Sequence, residues 1–316
     1  MKFKKPKFWD LKRQNIVSYI LLPFTIFFEL NNFILSLISK KKIKDINSIC
    51  IGNIYVGGTG KTPSTIKLYE IFKQSNFKVC TGKKYYSEHN DEQIILKDKT
   101  NLICESNRIK IINEALSQKN EIIIFDDGLQ DRTLDYDFKI VCFDANDWVG
   151  NGQLMPSGPL REKLISLKKY DAIFLKNQNS DINEIREIIK QYNSSIKIFQ
   201  TNYYPKNINQ FDLSKKYLIF SGIGSPKNFK NTLIENNFNI IKEINFPDHY
   251  NYKKIDIIKI KQEAKKLNAN IITTEKDFVK IAKIENKDIN FLEIDLKIDG
   301  EIELIDLIKK RFNEKY

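Results

Sequence analysis

The chain has 316 residues, 41% of them hydrophobic and 29% charged, which suits one large or two modest domains with an apolar core and excludes a disordered polymer. Its formal charge is +12, and in the first 46 positions ten basic residues (Lys2, Lys4, Lys5, Lys7, Lys12, Arg13, Lys40, Lys41, Lys42, Lys44) face only Asp10, Glu29 and Asp45. That asymmetry points to an acidic partner surface, either nucleic acid or anionic lipid, although Lys, Ile and Asn are heavily used throughout.

Between the two basic clusters lies the apolar stretch Ile16 to Leu30, followed by Asn31, Asn32 and a second apolar piece, Phe33 to Ile38. A transmembrane helix needs roughly 20 uninterrupted apolar residues, and Glu29, Asn31 and Asn32 break this one. No small-residue cleavage site follows, which argues against a signal peptide. Basic flanks around an aromatic-rich apolar stretch fit a segment lying in a membrane interface; the alternative is a core helix with a start bent at Pro23.

The apolar run Ile46 to Ile51 leads into Val56-Gly57-Gly58-Thr59-Gly60-Lys61-Thr62-Pro63, and the segment after it has helical spacing. Strand, glycine loop, helix is the context of a phosphate-binding loop. The glycines Gly57, Gly58 and Gly60 let backbone N–H groups turn around an anion, with Thr59 between them. Lys61 can reach the β- and γ-phosphates, the Thr62 hydroxyl can hold Mg²⁺, and Pro63 suits a first helical turn. The strict G-x-x-x-x-G-K-[ST] pattern is not met, since Tyr55 stands at its first glycine, and the double glycine is closer to G-G-x-G-K-T variants.

Short β-branched runs at 77–80, 101–104, 121–125, 138–143 and 171–175 read as strands of a buried, mostly parallel sheet, with helices at 107–118 and 181–191 among them. The fold class expected is α/β: a P-loop NTPase-like sheet with helices on both faces, a smaller C-terminal α/β part, and an N-terminal interface helix. A low-complexity loop around 202–209 leads into that second part. Its expected elements are strands at 217–220, 240–246 and 271–274, a helix after Pro226, one at 255–267, and a terminal helix after Gly300. The expected divisions are 1–45, 46–205 and 206–316.

Four cysteines, Cys50, Cys80, Cys104 and Cys142, sit inside apolar runs without metal spacing and read as buried, reduced thiols of a cytosolic protein. Asp126 and Asp127 end an apolar run, where an NTPase holds Mg²⁺; they also suit a turn. The segment Gly150 to Glu162 has too many glycines and prolines for a regular element, and Arg161 in it suits bidentate contact with a phosphate. The only histidines are His89, in a polar loop with Asp91 and Glu92, and His249, after a strand in Phe246-Pro247-Asp248-His249-Tyr250. A phosphate acceptor hydroxyl needs a base, and a carboxylate tuned by an imidazole is one route. Spacing alone does not pair Asp91 with His249.

Together these segments resemble the tetraacyldisaccharide 4′-kinase family, the lipid A 4′-kinases. The resemblance rests on Gly52-Asn53 with Val56 to Pro63, Asp91-Glu92, Asp126-Asp127-Gly128-Leu129-Gln130, Gly150-Asn151-Gly152 with Pro156 to Glu162, Gly222-Ile223-Gly224, Phe246 to His249, and Thr274-Glu275-Lys276-Asp277. Two departures concern substrate contacts: Thr81-Gly82-Lys83-Lys84-Tyr85 stands where the family usually shows Ser-Arg-Gly-Tyr, and Asp131 where His or Asn is common. The resemblance implies transfer of the ATP γ-phosphoryl group to the 4′-hydroxyl of a tetraacylated disaccharide 1-phosphate. Lys61 and the loop amides would cradle phosphates, and Thr62 with Asp126 or Asp127 would hold Mg²⁺. Asp91 assisted by His249 would take the hydroxyl proton, and Gln130, Arg161 and Glu162 would touch substrate. An acylated substrate stays in its bilayer, so the implied place is the cytoplasmic face of the bacterial inner membrane, with an anionic surface as partner and no nucleic acid. The alternative is a partitioning-type P-loop switch ATPase acting on DNA or membrane.

Overall fold

The computed structural model describes all residues except 1–4, 12, 38–39, 86–89, 132, 178–180, 283, 285 and 316, and not the side chains of Ser36 and Asn90. In chain order its elements are α1 (Ile16–Leu21), α2 (Thr25–Ser36), β1 (Lys41–Lys42), β2 (Asn47–Gly52), α3 (Lys61–Gln74), β3 (Val79–Lys84), α4 (Asn90–Lys99), β4 (Leu102–Glu105), α5 (Arg108–Ser117) and β5 (Ile122–Asp126). There follow β6 (Leu134–Asp135), β7 (Phe138–Asp144), β8 (Ala172–Lys176), α6 (Asn183–Tyr192), β9 (Lys197–Pro205), β10 (Lys216–Ser221), α7 (Pro226–Glu235) and β11 (Asn239–Asn245). The chain ends with α8 (Lys254–Lys266), β12 (Asn270–Thr274), α9 (Glu275–Ile281), β13 (Ile289–Leu292), β14 (Ile294–Ile298) and α10 (Glu301–Asn313).

Two compact units share these elements: Met1–Tyr85 with Thr100–Asn202 and Ile298–Tyr316, and Tyr86–Lys99 with Tyr203–Lys297. The first is built on an eight-stranded sheet of order β14-β9-β8-β7-β2-β5-β3-β4. From β9 to β4 every neighbouring pair is parallel. Every residue of β5 and of β8 is buried, as expected of parallel strands covered on both faces. β2 is flanked by β5 and β7, so the loop leaving its C-terminal end opens at the middle of the sheet. That is where an open α/β sheet offers a crevice for ligands.

In the second unit β11-β10-β12-β13 form a parallel sheet. Alternation along its strands separates two cores: Leu218, Phe220 and Ile271 pack with Ile257 and Ile260 of α8, while Tyr217, Ile219 and Ile272 pack with Phe229 and Leu233 of α7.

The fold class matches the expectation, and three local readings are corrected. Residues 202–205 are the end of β9, not the start of a low-complexity loop; the polar composition of Asn202, Tyr203 and Tyr204 masks a strand whose end is only partly buried. Asp91 and Glu92 lie in the first turn of α4, not in a polar loop. Their carboxylates complement the helix N-terminus and Lys97 and Lys99 its C-terminus, while Ile95 and Leu96 bury its apolar side. A division read along the chain also misses that 86–99 joins the second unit and that 298–316 returns to the first.

Candidate active site

The glycine loop runs from β2 into α3, whose first residue is Lys61. Gly60 caps the helix with φ 84°, a left-handed conformation that glycine adopts without a Cβ penalty. Thr62 and Pro63 fall in the first turn, where free N–H groups and the helix dipole favour an anion. Asn53 holds the loop from beneath, donating to Gly57 O at 3.2 Å and Thr59 Oγ1 at 3.0 Å.

Asp126 ends β5, the parallel neighbour of β2. Its Oδ2 accepts from Thr62 Oγ1 at 3.1 Å, and its Oδ1 from Thr65 Oγ1 at 3.3 Å. Lys83 Nζ, at the end of β3, lies 2.5 Å from Asp126 Oδ2, with both side chains buried. Asp127 sits next, its Oδ1 3.8 Å from Lys61 Nζ, and takes φ 58°. Its turn leaves no room behind it: a Cβ on Gly128 would meet Cys50 Sγ at 2.7 Å. Arg108 buttresses the same turn, donating to Asp127 O at 2.7 Å and to Asp131 Oδ2 at 2.6 Å. Asp131, one of the two departures, is therefore engaged in holding the aspartate turn.

The Gly150 to Glu162 segment forms no regular helix or strand and lies along the residues leading into the glycine loop. Val56 N donates to Pro159 O, Arg161 N to Ile54 O, and Leu160 bridges Tyr55. Arg161 Nη1 donates to Gln130 Oε1 at 3.2 Å, and Gln130 Nε2 to Asn53 O at 2.6 Å. Two of the residues expected at substrate, Gln130 and Arg161, are thus joined to the loop through Asn53. Glu162 is buried, with Lys169 at 4.0 Å.

The same segment anchors the N-terminal helices. Asn151 Nδ2 donates to Ser18 Oγ and Ser157 Oγ to Ser18 O, while Asn32 Nδ2 donates to Arg161 O and Lys163 pairs with Glu29. Ser18, Thr25, Glu29 and Asn32 of α1 and α2 bond or pack inward, and Ile16, Tyr19, Ile20, Ile26, Phe27 and Phe33 are exposed by 60% or more. That arrangement excludes the core-helix alternative.

In the second unit the structure pairs what spacing could not. His249 Nδ1 lies 3.2 and 3.1 Å from the two carboxylate oxygens of Asp91. His249 takes φ 55°, and its N–H donates to Gly222 O at 3.2 Å and to Asp248 Oδ1 at 2.9 Å. Burial by itself would raise the Asp91 carboxyl; the His249 hydrogen bond and the charges of Lys276 and Lys280 outweigh it and hold it well below the usual carboxylate range. His89 lies outside the described residues. Sequence reasoning assigned no role to Asn53, Lys83, Thr65, Arg108 or Lys280. The signal for Lys83 was a cation at the C-terminal end of a buried strand; Arg108 and Lys280 read as ordinary helix-surface cations.

The cysteines form no disulfide, three of them are buried and Cys104 is half-buried, and burial pushes Cys80 and Cys142 up to about 12.

Comparison with known proteins agrees along the whole chain. The sequence model of tetraacyldisaccharide-1-P 4′-kinase matches residues 17–313. The tetraacyldisaccharide 4′-kinase of Pelagibacter ubique (strain HTCC1062) is 44% identical over the full length of both chains. That of Rickettsia canadensis (strain McKiel) is 34% identical over 95% of each. A crystal structure of LpxK from Aquifex aeolicus in complex with ATP shares the fold with a TM-score of 0.69, covering 94% of this chain and all of that one at 23% identity. With a family match over nearly its entire length and relatives well above 30% identity, the chain belongs to the tetraacyldisaccharide-1-P 4′-kinase family.

Proposed function

We propose that this protein is a lipid kinase that transfers the γ-phosphoryl group of ATP to the 4′-hydroxyl of tetraacyldisaccharide 1-phosphate. Family membership supports the substrate. The observation carrying the chemistry is the meeting of the α3 N-terminus, Lys61, Thr62 and Asp126 at the C-terminal ends of parallel strands.

Lys61 and the amides of Gly57 to Thr62 cradle the β- and γ-phosphates, neutralising charge as the bond to the leaving group lengthens. The Thr62 hydroxyl and the carboxylates of Asp126 and Asp127 are hard oxygen donors. Few in number and beside the phosphate cradle, they fit Mg²⁺, which keeps several waters and takes phosphate oxygens. When bound, the ion supplies charge neutralisation between phosphates. Arg161, Gln130 and Glu162 bind and orient substrate. Asp91 accepts the proton of the acceptor hydroxyl, and His249 holds that carboxylate in place through Nδ1.

The reversed amphipathicity of α1 and α2 supports work at a lipid surface. A water-soluble helix buries its apolar side, whereas here the apolar side faces outward, flanked by Lys41 and Lys42. An anionic membrane accommodates both features, which supports the cytoplasmic face of the inner membrane as the place of action.

The test is phosphoryl transfer from γ-labelled ATP to tetraacyldisaccharide 1-phosphate in mixed micelles, comparing wild type with Asp91→Ala. Label enters the lipid with wild type, and the variant loses on the order of 10²–10⁴ in kcat with ATP affinity kept. ATP hydrolysis without lipid labelling, stimulated by DNA or bare vesicles, overturns the kinase reading.

A further inference from the structure

Asp91 carries more positive charge around it than a single histidine explains. Helix α9 places Lys276 and Lys280 four residues apart, hence on one face. Lys280 Nζ lies 3.2 Å and Lys276 Nζ 3.7 Å from Asp91 Oδ2. Neither lysine is a loose surface group. Lys280 Nζ is also 3.0 Å from Asp277 Oδ1 and 3.4 Å from Gly222 O. Asp277, fully buried, accepts from Gly222 N at 2.8 Å and from Thr274 Oγ1 at 2.8 Å, which fastens the start of α9 to the Gly222 turn. The carbonyl of that same glycine receives the His249 N–H. One backbone turn therefore fixes two of the groups that contact the carboxylate, and α9 brings the third.

The charged and titratable groups around Asp91 are Glu92 on its own helix, Asp248 and His249 on the loop after β11, and Lys276, Asp277 and Lys280 on α9. The acids are themselves paired with the lysines or the imidazole, so the field at the carboxylate is set by the cations. Burial acting alone pushes this carboxyl upward, toward holding its proton. A protonated Asp91 cannot accept the hydroxyl proton.

We propose that Lys276 and Lys280 are positioning residues that keep Asp91 ionised and aimed, so that α9 sets the lower pH limit of the reaction. This rests on the reading of Asp91 as the base. It also gives a role to the Thr274-Glu275-Lys276-Asp277 and Gly222-Ile223-Gly224 segments: they build the mount for the two lysines.

The experiment is kcat at saturating ATP and lipid acceptor from pH 4 to 9.5 for wild type, Lys276→Met, Lys280→Met, the Lys276→Met/Lys280→Met double variant, Lys280→Arg and Asp91→Ala. Removing a positive charge makes protonation of Asp91 easier, so the acid limb moves to higher pH in both Met variants. A loss relative to wild type that grows toward the acid end of the range and is small at pH 9, largest in the double variant, is the expected result. Lys280→Arg keeps the wild-type limb. Lys280→Met leaves buried Asp277 short of a partner; Lys276 bonds the exposed Asp248, so Lys276→Met gives the answer even if the other variant fails to fold. A fall in kcat by the same factor at every pH in the folded variants overturns the inference, since a merely structural role would give that. Wild-type turnover in Asp91→Ala overturns the base assignment itself, whatever the lysine variants do.

Discussion

Asp127 and His249 both hold a left-handed backbone, φ 58° and 55°, one beside the glycine loop and Lys61, the other beside Asp91. Asp and His tolerate that region better than most residues, and such conformations persist where surrounding bonds over-determine them. Arg108 and the bond from Asp127 N to Ile51 O do so for one, and Gly222 and Asp248 for the other. The buried pair Lys83 and Asp126 is the sharpest energetic statement at this scale. Removing one partner of a buried ion pair leaves a desolvated charge, at a cost of about 3–5 kcal/mol. Lys83→Met is therefore expected to lower the unfolding free energy by that amount in urea titrations without nucleotide; a change within experimental error would show that Thr62 and Thr65 suffice for Asp126. The pair was half legible. Asp126 announced itself at the end of an apolar run, whereas the sequence offered Lys83 only as a departure from a motif.

At the scale of elements, α1 and α2 reverse the usual arrangement. Ser18, Thr25 and Asn32 turn inward at seven-residue intervals, with Glu29 on the same side, while large apolar side chains face out. The stretch Ile16–Leu35 is long and apolar enough to cross a membrane by length and composition, and only 11% of it is buried. Ser18, Glu29 and Asn32 bond it to the 150–163 segment. Replacing Ile20, Phe27 and Phe33 by Ser is expected to weaken vesicle binding at least tenfold, since burying one such side chain contributes about 1.5–3 kcal/mol. Sedimentation with vesicles rich in anionic lipid measures it. Unchanged binding, or binding lost equally in Lys41→Ser and Lys42→Ser variants that keep the apolar face, would move the docking from hydrophobic to electrostatic. Composition made this stretch visible, but it could not say which face the protein would cover, because that depends on polar partners more than 100 residues away.

At the scale of the molecule, the chain leaves its first unit along β9 and returns through β14 and α10. That return is tied down: Lys315 Nζ bonds Ile46 O and Asp137 Oδ2, and Leu304, Ile308 and Phe312 of α10 are buried. The last 19 residues, Ile298–Tyr316, thus stabilise the unit that begins the sequence. Ile308→Ala is expected to cost about 2–5 kcal/mol, and hydrogen exchange should show the loss of protection in β2, β7 and β8 and not in β10 and β12. The reverse distribution would assign α10 to the second unit.

The sequence by itself determined what neighbours along the chain decide. Runs of β-branched residues bounded by polar segments specified buried parallel strands, and glycines before Lys61-Thr62 specified a tight loop between a strand and a helix, because these depend on local sterics and periodicity. Tertiary structure decided what requires distant segments to meet. It put Asp91 on a helix inserted between two strands of the first unit yet folded into the second, brought His249 to it across 158 residues, and set Lys276 and Lys280 around the pair. Nothing in local propensity encodes such a meeting, since it is fixed only when the apolar faces of α8, α9 and the β10–β13 sheet have packed and the Gly222 turn has found Asp277.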